Sequence, residues 1–528
     1  MKFREKIFST ILLTIFLSSS NVYALNIIHN TTQKEKTLDN NAIENLIKNN
    51  ENTQDIDPTV DLMISVKIKE IRALDKIDKF SNPDFYVKVI INDEKEITSD
   101  IWRNQMHVTE EWNTPFIDVP DEKEWVNVTI QLWDSDLILD KLCDIGGIDN
   151  YKRNSRSITI MYNLKIGHWF GDDKLTSPNS WSVDYSGYGR ANGCDDGSIY
   201  EEDLDCELWF DIIQNDIDGD GIPYWTETEI FKTDPNFDDR GRDDDGDGIP
   251  IEWEYKWGQQ IRYDHHQDNY VFYWEYDPFQ YDDHINIDPD GDSINNYEEY
   301  LTSEYFSDPN RKDIFVELDQ MQAGLNGEIE SILPERSKEL IYKAFNRQNI
   351  VIHIDDGSLT NTGSEIIPFE DIGDDTSNEQ CNQIYNEYFL HDNEENWRIG
   401  VFHYGIVMYN ASFPGFCFRN NAFQISSKGM EKKVKLPFPI TGSRDVIYAS
   451  AYMHELGHSL GLTWLLGHDT SGYYPWQPLW WKARPYKSIM NYGYMYGAIW
   501  SLVDYSDGSR GKNDFDDWSN INFGYFEQ

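Results

Sequence analysis

The chain has 528 residues and a mass of 62.0 kDa, more than one hydrophobic core usually organises, so roughly two to four domains are expected. Ninety-four Asp and Glu against 45 Lys and Arg leave a formal charge of -49, which excludes nucleic acid as a partner and opposes anionic membranes unless a cation bridges. An aromatic content of 14% with 18 Trp excludes the acidic disordered class. At the N-terminus Lys2, Arg4 and Lys6 precede an apolar run from Ile7 to Leu17 and then Val22, Tyr23 and Ala24. This is the grammar of an export signal cleaved after Ala24, so residues 1–24 are read as a signal peptide and the protein as secreted or held on the extracytoplasmic surface. The apolar run falls short of the roughly 20 residues that cross a bilayer.

Residues 25–57 are polar and read as a linker. From Val60 short alternating segments begin, Leu62 to Val66, Phe85 to Ile90 and Val126 to Leu132, ending with Glu207 to Ile213. Alternation at period two between Asp, Asn and Pro turns predicts a β-sandwich over residues 58–213. Within it, Asp78 to Val87, Glu111-Trp112-Asn113, Trp133 to Asp136 and Asp144-Ile145-Gly146 resemble, in order and spacing, a C2 domain. That resemblance implies calcium held between loops at one end by Asp78, Asp84, Asp134 and Asp136, with Asp144 or Asp140 completing the set, and calcium-dependent docking to a membrane or protein surface. The five cysteines, Cys143, Cys194, Cys206, Cys381 and Cys417, suit one or two disulfides outside the cell, Cys194 with Cys206 and Cys381 with Cys417 being the local pairs.

Residues 214–310 hold 27 acidic against five basic side chains and would repel themselves if not neutralised. Three segments there share one pattern: Asp216, Asp218, Asp220, Ile222 and Glu227; Asp243, Asp245, Asp247, Ile249 and Glu254; Asp288, Asp290, Asp292, Ile294 and Glu299. Positions 1, 3, 5 and 12 supply carboxylates and position 7 a carbonyl, the oxygen set that calcium requires. Glycine at position 6 allows the tight turn in the first two; Ser293 replaces it in the third and predicts weaker binding. The repeats resemble the loops of EF-hand-like, dockerin and thrombospondin type 3 modules, which implies a structural calcium role.

Beyond Arg311 the pattern becomes strand, helix, strand: Asp313 to Leu318, about Glu335 to Asn346, and Ile350 to Ile354, predicting an α/β domain over residues 311–528. His454-Glu455-Leu456-Gly457-His458 lies in a helix-compatible run closed by Gly461. Four residues apart on a helix, both imidazoles share a face and can take zinc, with Glu455 beside the metal's water as general base. With Gly461 and the downstream Ser488-Ile489-Met490-Asn491-Tyr492, the run resembles the metzincin superfamily of zinc peptidases, in particular archaeal and bacterial secreted members joined to calcium repeats. The resemblance implies a zincin-type fold, a supporting turn at Met490, a transition-state contact from Tyr492, and a protein or peptide substrate. It departs at Trp464, where the family has its third ligand; His468 and Asp469 are the substitutes within reach.

The expected molecule is therefore multidomain: a C2-like sandwich, calcium loops and a zinc peptidase domain. Two functions stand against each other. One is a calcium-stabilised zinc endopeptidase; the other is a calcium-dependent surface-binding or adhesion protein whose peptidase-like domain is inactive.

Overall fold

The computed structural model describes residues 55–146, 156–171, 189–194, 204–264, 269–357, 366–372, 378–411, 413–436, 442–463, 466–496 and 503–525. The signal peptide, nearly all of the linker and Trp464 lie outside them. No helix among the described residues is long and apolar enough to cross a membrane.

In the strand Trp125–Asp134 every second residue is buried and its neighbours are half-buried, the mark of a sheet with one face on a core. It sits centrally in an antiparallel sheet ordered Trp169–Gly171, Ile158–Asn163, Trp125–Asp134, Phe85–Ile91, Lys95–Thr98, with the short strand Lys141–Leu142 also on it. The facing sheet is built on Met63–Ala73, paired on one side with Cys206–Gln214 and on the other with His107–Val108, Trp112–Asn113 and Ile117–Asp118 in turn. Ile64, Val66 and Ile68 from one sheet and Val87, Val89, Val128 and Ile130 from the other fill the space between them.

In the C-terminal part the strand order is Val351–Asp355, Asp313–Met321, Phe402–Met408, Ala422–Ser426, Gly415–Arg419, parallel except for the last, which runs antiparallel at the edge. Both faces are covered, so every residue of Asp313–Met321 except Gln320 is buried. Ile314, Val316 and Leu318 meet the helices Glu335–Asn346 and Arg444–Ser459, whereas Phe315 and Met321 join Tyr385, Phe389 and Phe402 on the other face. The chain between sandwich and sheet carries three loops, each running into a short helix: Thr226–Phe231, Ile251–Gly258 and Asn296–Leu301. An apolar cluster of Trp209, Trp253, Trp257, Tyr276 and Val351 draws side chains from all three parts.

The expected disulfides do not form; all five cysteines are free. Cys194 and Cys206 lie close along the chain fold but face opposite sides: Cys206 is in the sandwich core with Cys143, and Cys194 packs into the core of the C-terminal part, its thiol directed to Asp205. Cys381 and Cys417 are likewise separated by the sheet, Cys417 donating to the Glu455 carbonyl.

Candidate metal centres

Ser443 caps the helix Arg444–Ser459, its Oγ accepting from Val446 N–H. At the other end Gly461 takes φ +82°, and Leu462 N–H reaches back to the Gly457 carbonyl at 2.9 Å, closing the helix in the left-handed turn that glycine permits. That turn also brings the Leu462 carbonyl to 2.7 Å from His458 Nδ1. His454 Nδ1 is 2.8 Å from the Ile489 carbonyl. A carbonyl only accepts, so in both rings Nδ1 carries the proton and Nε2 presents a lone pair.

Both Nε2 atoms converge on His468 Nε2, at 3.2 Å from His454 and 3.0 Å from His458. Nitrogens bound tetrahedrally at about 2.0–2.1 Å from a zinc lie roughly 3.3 Å apart, so the three imidazoles fit one ion. Burial and the neighbouring imidazoles hold His454 well below its usual range and His458 at about 4, which keeps the ligand form neutral. The loop that carries His468 is pinned where Tyr492 N–H donates to the Gly467 carbonyl at 3.1 Å. Asp469, the other third-ligand candidate, does not join the cluster: it caps the following turn, accepting from Ser471 N–H at 2.7 Å.

Met490 is fully buried beneath this helix, and a Cβ on Gly457 would lie 2.7 Å from its sulfur. The His454 and His468 rings stack on each other at 5.1 Å, and the Tyr492 ring packs against both, with centroids 5.6 and 4.5 Å away. Glu455 is 5% exposed, and burial pushes its carboxyl up to about 8. It faces the edge strand Gly415–Arg419 at Gly415, a glycine that no motif in the sequence singles out; a Cβ there would fall 2.4 Å from Glu455 Oε1.

The three acidic loops share one geometry. The position-1 carboxylates of Asp216, Asp243 and Asp288 accept from two N–H groups each, at positions 4 and 6. Asp218, Asp245 and Asp290 each spend Oδ1 on the N–H two residues on and bury Oδ2 without a partner. Glu254 Oε1 and Glu299 Oε1 are buried without a hydrogen bond too. Such orphaned acceptors crowding one centre are what a calcium ion would satisfy. Without one, burial and the repulsion of Asp220 and Asp218 push Glu227 up to about 8. Ile222, Ile249 and Ile294 are buried at position 7, anchoring each loop in the core. Closure comes from far along the chain: the position-5 carboxylates of Asp220, Asp247 and Asp292 accept from Asp239, Asp282 and Asp313 N–H at 3.2, 3.2 and 2.7 Å.

At the end of the sandwich the expected calcium set is only partly assembled. Asp78, Asp134 and Asp136 converge, and Lys141 Nζ lies among them at 2.7, 3.1 and 2.8 Å. Asp84 is turned to Asn104 N–H and Arg103 on a neighbouring loop, and Asp144 caps its own loop at Gly146 N–H and faces Arg156. Asp140 is also outside the set, accepting from Tyr86 and from Asp136 N–H. Lys141 has no place in the pattern of acidic residues: the cation comes from a strand residue directly opposite Asp134.

Residues 62–148 match the C2 domain family and are a C2 domain. Among solved structures, the chain is similar to human GIVD cytosolic phospholipase A2, with 14% identity and a TM-score of 0.17 over 29% of this chain and 16% of that one. It is also similar to a structure described as a C2 domain, with 13% identity and a TM-score of 0.17 over 29% of this chain and 98% of that one. A third is a C2 domain of plant Extended Synaptotagmin 1, with 15% identity and a TM-score of 0.17 over 28% of this chain and 93% of that one. A search of curated proteins finds no match.

Proposed function

We propose that the chain is an exported, calcium-stabilised zinc metalloendopeptidase that docks through its C2 end. The observation that carries this reading is the meeting of His454, His458 and His468 at Nε2, with Glu455 on the same helix. Zinc held there supplies a Lewis acid and an activated water. Glu455 takes the proton from the attacking water and returns it to the leaving nitrogen. The edge strand Gly415–Arg419 receives an extended peptide by backbone pairing beside Glu455. Tyr492, ringed against His454 and His468, donates its O–H to the oxygen that becomes charged.

Casein hydrolysis by the full chain and by Glu455→Ala in about 1 mM calcium, with elemental analysis, tests it. Turnover that falls by about 10²-fold or more in the variant while one zinc stays bound supports the reading. Loss of zinc in His468→Ala but not in Asp469→Ala supports the ligand set. If no zinc is found and both proteins are inert, the peptidase reading fails and the calcium-dependent binding protein replaces it.

The C2 end carries its own reason for docking. Phe80 is 98% exposed, and Leu137, Ile138 and Leu139 are 105%, 98% and 78% exposed. They flank Asp78 and Asp136, which converge, so the four apolar side chains crown one end of the sandwich. An apolar tip over a neutralised acidic cluster suits insertion into the hydrocarbon edge of a bilayer more than a polar protein surface. Sedimentation with phosphatidylcholine vesicles, with and without chelator, checks it: the full chain pellets and Leu137→Ser/Ile138→Ser/Leu139→Ser does not. Equal pelleting of both removes lipid docking from the proposal.

A further inference from the structure

The second acidic loop differs from its two siblings in what closes it. In the first loop the buried Asp239 joins Asp220 and Glu227 with a carboxylate, and in the third Asp313 closes on Asp292. In the second, the segment that returns to Asp247 through Asp282 N–H also delivers His284, two residues on. Its side chain is fully buried, with Nε2 3.1 Å from Asp247 Oδ2 and 3.8 Å from Glu254 Oε1.

The ring is built in, not incidental. Trp253 and Tyr276 pack edge-on to it, with centroids 5.7 and 5.2 Å away, and the buried Asn296 amide lies 3.1 Å from Nδ1. With the amide nitrogen on that side, Asn296 Oδ1 has no hydrogen-bond partner, and Nε2 lies beside Asp247 Oδ2 without hydrogen-bond geometry. Turning that amide over places Oδ1 on an Nδ1–H and leaves a lone pair on Nε2, the arrangement that holds a metal-ligating histidine. The pocket so formed brings His284 Nε2 together with the carboxylates of Asp247 and Glu254, and neither Nε2 nor Glu254 Oε1, both buried, makes a hydrogen bond. Calcium takes oxygen ligands, whereas an imidazole nitrogen beside carboxylates suits zinc, cobalt or nickel.

We propose that the second loop is a mixed nitrogen and oxygen site for a first-row transition divalent cation, held by Asp247, Glu254 and His284, while the first and third loops take calcium. This rests on reading the loops as cation sites and is independent of peptidase activity. The full chain is made with His458→Ala/His468→Ala to remove the zinc triad, stripped with chelator, and returned to about 1 mM calcium. Cobalt is then titrated in and read by visible absorption, with elemental analysis for both metals.

One equivalent of cobalt with a nitrogen-ligand spectrum is expected. Adding His284→Gln lowers cobalt affinity by about 10- to 100-fold or more and leaves calcium at the other loops unchanged. His284→Asp, which copies the first loop, folds in calcium and takes calcium in cobalt's place; it carries the test if the glutamine variant misfolds. Cobalt bound equally with and without His284, or no cobalt bound while calcium is present, overturns the proposal and leaves His284 as an imidazolium paired with Asp247. Neither metal bound at any loop overturns the cation-loop reading as well.

Discussion

Gly415→Ala tests whether Glu455 acts where it stands. The added Cβ would meet Glu455 Oε1 at 2.4 Å and Cδ and Cγ at 2.9 Å, where ordinary contact begins at 3.4 Å. The carboxylate must retreat by about 1 Å, and a buried side chain beneath an edge strand has little room to do so without leaving its line to the metal. A misplacement of that size costs about 10²-fold in rate, or about 2.7 kcal/mol of transition-state stabilisation. The backbone at Gly415 is ordinary strand, so alanine is tolerated there and overpacking costs roughly 1–3 kcal/mol of stability. The assay is kcat/KM on a peptide substrate, with zinc content and a thermal melt alongside. Activity reduced about a hundredfold with zinc at one equivalent and a cooperative melt is the expected result. Undiminished turnover refutes the placement of Glu455, and so does loss of zinc, because Gly415 lies against the base and not against the imidazoles.

Lys141→Met removes the ammonium from among Asp78, Asp134 and Asp136, so the C2 end should lose roughly 1–3 kcal/mol in chelator, given that Lys141 is partly exposed and Asp134 fully buried. Calcium should restore it, and a melt identical to wild type with and without calcium would refute this. Glu70 is buried, which raises its carboxyl, yet Arg72 and His107 outweigh that and hold it at about 2 against 4.5 unfolded. The depressed value means that its contribution, on the order of 3 kcal/mol, is present above pH 4.5 and lost as the pH falls towards 2. Denaturation of wild type and Glu70→Gln at neutral and acid pH should show the difference shrinking on the acid side; a constant difference contradicts it. Ser293 holds φ +73° where Gly221 and Gly248 hold +91° and +98°, so Ser293→Gly should stabilise the calcium-loaded chain by roughly 0.5–1 kcal/mol and tighten calcium at the third loop. A lowered melting temperature in calcium would count against the strain argument.

What the sequence made legible was what lies close together along the chain. Period-two alternation in Val126 to Leu132 marks a sandwich strand, and the fixed offsets of Asp216, Asp218, Asp220 and Glu227 mark a loop whose carboxylates meet. The spacing of His454 and His458 places both on one helical face. What it left open depends on returns of the chain. Whether His468 or Asp469 faces the other imidazoles is decided by a turn that spends the Asp469 carboxylate on Ser471 N–H. Lys141 reaches Asp134 because a two-residue strand lies opposite it, a pairing with no periodicity to announce it. His284, Asp239 and Asp313 stand at unequal distances from the loops they close, so no spacing rule finds them. The disulfide expectation failed for a related reason: neighbours in sequence can face opposite cores.

The parts are joined too firmly for the acidic segment to be a slack tether. Glu207 on the sandwich accepts from Arg72 at 3.4 Å and from Arg190 at 2.7 Å, and Arg190 passes on to Asn346 at the end of the helix Glu335–Asn346. Lys343 of that helix pairs with Asp75 and Asp205, and Arg72 lies 3.6 Å over the Tyr342 ring. Breaking one member of such a buried set costs about 3–5 kcal/mol, because its partners are left charged and unpaired. From the other side, Asp292 of the third loop accepts from Asp313, the first residue of a strand whose sheet ends at Gly415–Arg419 beside Glu455. A cation in that loop would therefore brace a strand of the sheet that carries Gly415 beside Glu455. On the proposed function the consequence is directional: a C2 end that settles on lipid would fix the orientation of the His454, His458 and His468 site as well as its distance from the surface, and calcium would act on that site through the rigidity of this frame.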